Sequence, residues 1–272
     1  MSPRLCLLLN RSLEPIPIYT DWFCCYILVQ LTLDRGPCSW HETTMSGYEF
    51  DIPRVAVPIA GGDRRFPVRR IYCIGRNYEK HVAEMGYDVK RSSPFYFAKP
   101  ADAIVPSGST VDYPPRTSDL HHEIELVVAI GRAGRDIPAA NALDHVFGYA
   151  VGIDLTRRDL QRAAKEKSRP WETAKAFDQS APISTIHRAA DIGHPSSARI
   201  WLAVNGEMRQ DADIAEQIWS VPESIAELST LFALMPGDLL FTGTPEGVGA
   251  VTRGDRLQGG IDGIDEIEIA IV

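Results

Sequence analysis

Short β-rich runs broken by glycine and proline set the tightest limit on what this chain can fold into. Residues 70–75, 94–98, 124–130, 148–155, 200–204, 239–242 and 266–272 are each rich in β-branched, aromatic or other apolar residues. In the last run, Ile267, Ile269 and Ile271 alternate with Glu266 and Glu268, the pattern of a half-buried strand. Asn205-Gly206 separates residues 200–204 from 207–209 and favours the type I′ turn of a two-residue hairpin. Helices are few and short. Ser220 and Glu223 match a capping box, Pro222 suits a first turn, and Val221, Ile225, Leu228 and Phe232 share one face of the helix that follows. Thr156 with Asp159 predicts a second helix running toward Lys167, and Asn77 and Gly86 bound a third. Strands that do not alternate regularly with helices argue against a doubly wound parallel sheet. They predict an α+β fold in one domain, residues 45–272.

Residues 1–44 differ in texture. Four of the five cysteines, Cys6, Cys24, Cys25 and Cys38, fall there, and Cys73 stands apart. An odd count with no CxxC spacing argues against a disulfide framework or a zinc site. Residues 5–9 are too short for a signal-peptide core and are cut by Asn10 and Arg11. Residues 22–33 are apolar but contain Gln30, and fall short of the roughly 20 residues of a spanning helix. The expectation is that residues 1–44 lie outside the functional fold, as an upstream extension from a misplaced start codon with a genuine N-terminal appendage as the alternative, and that the protein is cytoplasmic. Lys and Arg number 28 against 36 Asp and Glu, a net charge of −8 with no basic stripe. That balance argues against nucleic-acid and anionic-membrane partners.

The segment His121-His122-Glu123-Ile124-Glu125-Leu126 carries the sharpest chemical signal. On a strand, residues two apart project to one face, so Glu123 and Glu125 point together with His121 above them. Adjacent carboxylates repel, and a hard divalent cation, Mg²⁺ or Mn²⁺, is their natural partner. A solvated strand face is the competing reading from these residues alone. Asp154 closes the apolar run 148–153 just before the helix expected at Thr156, placing a third acid at a strand end. Three carboxylates around a doubly charged ion leave a net negative site, so an anionic substrate needs further cations. Arg158 and Gln161, three apart on that helix, and Lys175 in a Thr-Ala-Lys loop can supply them. His81 is the best general-base candidate: Glu84, three residues on, can orient one imidazole nitrogen and leave the other to take a proton. An ordinary helix-surface pair is the alternative there.

Taken together, IGRNYEKH, FYFAKP, HHEIEL, GYAVGIDLTRRDLQ, WETAKAFDQSAP and FTGTPEGVG resemble the fumarylacetoacetate hydrolase family in order and spacing, from about Arg70 to the C-terminus. The resemblance implies a mixed β-sandwich roll of that family's C-terminal-domain type, a homodimer, and Mg²⁺ or Mn²⁺. It places Glu123, Glu125 and Asp154 on the metal ligands and His81 and Glu84 on a catalytic dyad carried by a lid segment. It puts Lys175, Gln161 and Arg158 on oxyanion-stabilising and polar positions, and Thr244 on a substrate contact. Some members have a tyrosine four residues after the glutamine; Lys165 stands there instead. The implied reaction hydrolyses a carbon–carbon bond of a 2,4-diketo acid, with fumarylpyruvate of the gentisate pathway as the foremost substrate and acylpyruvates or maleylpyruvate as alternatives. Arg76, Lys99, Arg116 and Arg157 are candidates for the far carboxylate, with Arg76 and Lys99 preferred because they sit in the family's motifs. Two rivals remain open. One is oxaloacetate decarboxylation, or hydration or isomerisation of a related keto acid, on the same site. The other is a non-catalytic small-molecule-binding protein.

The boundary at Met45 has a direct check. Mass spectrometry of the protein from its native source is expected to show a chain starting at Met45 or Ser46, and a mature chain beginning at Ser2 would refute the start-codon reading.

Overall fold

The described residues of the computed structural model are 49–84 and 93–272, with the side chains of Val82 and Glu84 also left aside. The expectations for residues 1–44 and for Gly86 lie outside them. The apolar runs become strands of a large mixed sheet. Seven of its eight strands follow the order Phe95–Lys99, Arg70–Gly75, Asp238–Phe241, Ile124–Ile130, Val146–Ile153, Ala181–Ile183 and Ile104–Pro106, and His187–Arg188 pairs with Val146–Ile153. Arg70–Gly75 and Asp238–Phe241 run parallel, whereas Ile124–Ile130 is antiparallel to both its neighbours. A five-stranded sheet runs Glu207–Asp213, Arg199–Val204, Arg256–Ile261, Asp265–Ile271 and Ser109–Val111. This is the α+β architecture the runs predict, and residues Ile52–Val272 form one compact unit.

Every residue of Ile124–Ile130 is buried, because the strand has a core on each face. Ile124, Leu126 and Val128 pack with Ile200, Leu202, Leu257 and the alternating Ile267, Ile269 and Ile271 of the five-stranded sheet. Val127 and Ala129, on the other face, pack with Ile71, Cys73, Phe66 and Phe241. Glu123 and Glu125 share that second face by the period-two rule and stand at its end, where the apolar layer gives way to a cleft.

The local signals hold in part. Asn205 and Gly206 have φ of 52° and 81°, as a type I′ hairpin requires. The capping box forms at the helix Val221–Leu231, where Glu223 accepts the Ser220 N–H at 3.0 Å. Val221, Ile225 and Leu228 are buried, but Phe232 lies beyond the last turn and packs on Tyr72 with ring centroids 5.0 Å apart. The expected cap at Thr156 is a correction. Thr156 joins a short strand, Thr156–Arg157, that pairs with Leu120–His122, so the helix starts one residue later, as Arg158–Glu166. Asp159 is drawn instead to Thr117 Oγ1 at 2.6 Å and Ser118 N at 3.0 Å. Asn77 is likewise no helix cap. Its amide donates to Trp219 O and Thr242 O and its oxygen accepts Trp219 N–H, tying three segments together. Among the described residues no helix is long and apolar enough to cross a membrane.

Gly152 faces Glu125 across the ladder, and a Cβ there would lie 2.5 Å from the Phe241 ring and 2.6 Å from Val127. Both contacts are below van der Waals distance in a closed core. Gly152→Ala is therefore expected to cost about 1–3 kcal/mol, read as a lower denaturant midpoint at unchanged slope.

Candidate active site

The antiparallel register assembles the acidic cluster. Glu123 precedes Ile124, which pairs with Ile153, so Glu123 and Asp154 face one another and Asp154 N–H donates to Glu123 O at 2.8 Å. Glu125 projects from the same face two residues on. Oxygens of Glu123, Glu125 and Asp154 all lie within 4.8 Å of one another, and all three residues are buried. The donors are hard oxygens of the kind Mg²⁺ and Mn²⁺ take. Asp154 Oδ1 is buried with no hydrogen bond, although Lys99 Nζ lies 2.8 Å away as an ion-pair partner. Asp154 thus keeps acceptor capacity that no hydrogen bond uses, and the three residues fit a divalent cation.

Three buried cations hold this charge in place. Lys175 Nζ spans Glu123 Oε2 at 2.8 Å and Asp154 Oδ2 at 2.5 Å. Lys175 ends a short helix, Glu172–Lys175, where its Thr-Ala-Lys sequence predicts a loop. Arg158, in the first turn of its helix, donates from Nη2 to Glu123 Oε1 and from Nη1 to Gln161 Oε1 at 2.7 Å. Its Nε reaches His121 Nδ1 at 3.4 Å, and His121 Nε2 pairs with Asp119 at 2.9 Å. His121 therefore supports Arg158 at the edge of the cluster. Lys99 pairs with Asp154 and donates to the carbonyls of Leu155 and Lys175. It does not line the cleft, so it reaches the acidic cluster and not a distal substrate group.

Burial pushes the Glu123 carboxyl up, but Lys175, Arg158 and His81 outweigh it and hold it well below the usual carboxylate range. Glu125 moves the other way. Burial, then the charges of Asp154 and Glu123, raise it well above that range, and Lys175 and the Gly243 N–H offset only part. Gly243 donates that N–H at 2.8 Å from a backbone with φ of 92°, pressed so close to Asn77 that a Cβ would come within 2.7 Å of its Cβ. Burial also depresses Lys175, and Asp154 and Glu123 more than restore it, leaving it raised.

The cleft encloses about 410 Å³ counted to its open mouth. The acidic triad, His81, Arg158, Gln161, Lys175 and Thr244 all line it, as do Arg76, Lys165, Phe95, Phe97 and Trp171. The structure thus brings together every expected site residue except Lys99, which sits behind Asp154, and Glu84, whose side chain lies outside the described residues. Arg116 and Arg157 do not line the cleft; Arg157 lies over the Phe177 ring at 4.4 Å.

Gln210 escaped the sequence reading. It is the buried residue of a strand, Glu207–Asp213, whose other residues are exposed or half-buried. Its Oε1 accepts Ile124 N–H at 3.0 Å and lies 3.0 Å from His122 Nδ1, which fixes the amide's orientation. Its Nε2 then donates to Thr244 Oγ1 at 2.8 Å and Pro245 O at 3.0 Å. A threonine oxygen that accepts this bond has its own proton left to donate elsewhere, and Thr244 lines the cleft. Burial lowers the partner His122 to about 4, so it stays neutral near pH 7. The signal in sequence would have been one polar residue facing inward beyond an Asn-Gly turn, which long-range contacts alone distinguish from a surface glutamine.

Residues 70–272 match the family described as fumarylacetoacetate (FAA) hydrolase, C-terminal. The chain belongs to the fumarylacetoacetate hydrolase family. It is 46% identical over 189 residues to a fumarylpyruvate hydrolase of Ralstonia sp., covering 69% of this chain and 98% of the relative. It is 45% identical over 196 residues to a mitochondrial oxaloacetate tautomerase of Rattus norvegicus, covering 72% and 88%. The crystal structure of a fumarylpyruvate hydrolase from Pseudomonas aeruginosa, in complex with Mn²⁺ and pyruvate, aligns with a TM-score of 0.81 at 54% identity, over 83% of this chain and 99% of that one.

Because Glu125 sits above the usual range, a proton competes with the cation for it. Metal uptake must then release protons, and affinity must rise with pH. Calorimetric titration of Mn²⁺ is expected to show tighter binding at about pH 7.5 than at about pH 5.5, with proton release seen as a dependence on buffer ionisation enthalpy. Equal affinity at both would contradict the assignment.

Proposed function

We propose that the chain is a divalent-metal-dependent hydrolase that cleaves a carbon–carbon bond of a 2,4-diketo acid, with fumarylpyruvate, split to fumarate and pyruvate, as the substrate best supported. The observation that carries this reading is His81, a buried imidazole lining the same cleft as the acidic triad and the cations beside it. The similarity to fumarylpyruvate hydrolases adds support.

Glu123, Glu125 and Asp154 would hold Mg²⁺ or Mn²⁺, which when bound supplies Lewis-acid polarisation and a template for the α-keto acid head. His81 takes a proton from water as the oxygen attacks the distal ketone carbon. Glu84 is assigned the orientation of that imidazole. Lys175, Gln161 and Arg158 donate to the oxygen that gains charge in the tetrahedral adduct. Thr244, its oxygen already occupied by Gln210, donates its hydroxyl proton to the substrate. The bond between the attacked carbon and the methylene then breaks, its electron pair going to the methylene carbon of the enolate. The proton on His81 returns to that carbon, giving a carboxylic acid and pyruvate. A second carboxylate on the substrate falls to Arg76, since Lys99 is committed to Asp154. The catalytic unit is residues 45–272, acting as a homodimer in cytoplasmic aromatic-acid degradation.

Isomerisation of oxaloacetate is the second reading, favoured by the 45% identity to an oxaloacetate tautomerase. Proton transfer at a methylene also uses a base such as His81, so the two differ in whether a carbon–carbon bond breaks. Purified protein with Mn²⁺ offered fumarylpyruvate, maleylpyruvate, acetylpyruvate and oxaloacetate separates them: pyruvate plus fumarate supports hydrolysis, and enol–keto interconversion of oxaloacetate with no pyruvate from any diketo acid overturns it. His81→Ala is expected to lower kcat by on the order of 10²–10⁴ with Mn²⁺ affinity nearly unchanged, whereas Glu123→Ala weakens both. Equal metal loss in the two variants would contradict the assigned roles.

A further inference from the structure

The helix Arg158–Glu166 presents three polar residues to the cleft, Arg158, Gln161 and Lys165. Their spacing of three and four places them on one face, with Lys165 about 10 Å beyond Arg158 along the axis. Arg158 and Gln161 belong to the acidic end of the cleft, through the bonds to Glu123 and between each other. Lys165 stands about two turns further along the same face. Its Nζ lies 5.0 Å from the Trp171 ring, and Trp171 meets Phe95 edge to face with centroids 5.1 Å apart. The Arg76 guanidinium lies 5.5 Å from the Phe95 ring. Two cations therefore flank an aromatic pair, and all four residues line the cleft. Arg76 holds this place from a left-handed backbone, φ 61°, a conformation that costs a non-glycine residue energy and persists where its surroundings impose it. Burial, then the like charges of Arg158 and Arg76, bring Lys165 down to about 8, so the group of cations is crowded enough to repel. An anion among them relieves that repulsion.

We propose that Lys165, with Arg76 across the Phe95–Trp171 pair, forms a second-carboxylate subsite that makes the enzyme selective for keto acids carrying a carboxylate at both ends. The acidic end and its cation take the α-keto acid head, which rests on the function proposed above. The helix then sets the distance at which the far carboxylate is met, and the two ring faces pack against the chain between. Where a tyrosine at the Lys165 position would offer one neutral hydroxyl, a lysine offers a full charge, which a substrate lacking the second carboxylate does not engage.

The test uses two ligands that differ only in the terminal group, 2-oxoheptanedioate and 2-oxoheptanoate, with pyruvate as the head alone. Each is titrated calorimetrically into the Mn²⁺-loaded protein and into its Lys165→Met and Lys165→Arg variants. The wild type is expected to bind the diacid at least about tenfold tighter than the monoacid. Lys165→Met is expected to erase most of that preference and Lys165→Arg to keep it, with pyruvate affinity changed by less than roughly twofold in both. A wild type that does not discriminate, or a Lys165→Met variant that loses affinity for all three ligands alike, overturns the proposal. Failure of the hydrolase reading shows separately: a protein that prefers the diacid yet cleaves no diketo acid keeps the subsite and loses the reaction.

Discussion

The confinement of three carboxylates among three buried cations is the interaction on which the rest of the site depends. An isolated ionised carboxylate in a protein interior is too costly to keep, and it survives only with partners. Here Lys175 bridges Glu123 and Asp154, Arg158 takes the other oxygen of Glu123, and Lys99 pairs with Asp154. Among the described residues Glu125 makes no such ion pair, and it is the acid whose carboxyl is pushed up. The cluster therefore carries an unfilled demand for positive charge at one point, which a hard divalent ion meets. With that ion added to Arg158, Lys175, Arg76 and Lys165, the cleft's positive charge well outweighs its three acids, as an anionic keto acid requires.

The sheet makes this arrangement rigid. Glu123 and Asp154 oppose each other because Ile124 pairs with Ile153, and Glu125 joins them because side chains alternate. A one-residue slip would exchange the carboxylates for Ile124 and Leu126 and put charge into the core between the sheets. The same hydrophobic registry that stabilises the fold thus holds the three acids in place. Gln210 extends this logic across the molecule, linking the backbone of Ile124 to the hydroxyl of Thr244.

The parts of the site legible in sequence are those governed by local periodicity. Glu123 with Glu125 follows from strand alternation, Arg158 with Gln161 from helical spacing, and the Asn205-Gly206 hairpin from turn chemistry. Local signals misled where a tertiary partner competed for the same group. Thr156 reads as a cap but is recruited into a strand by Leu120–His122, and Asn77 reads as a cap but binds Trp219 and Thr242. Lys99 sits in a family motif and reads as a substrate contact, yet its ammonium faces Asp154, some fifty residues away in sequence.

By itself, then, the sequence determined the class of fold, the pairing of acids on one strand face and the family to which the motifs belong, because each depends on residues close in the chain. Which cation balances which acid, the turning of Thr244 toward the cleft by Gln210, and the placing of Lys165 and Arg76 around one aromatic pair were decided only in the folded protein. Charge compensation and hydrogen bonding act over a few ångströms of space, and the residues that share that space come from strands and helices far apart along the chain.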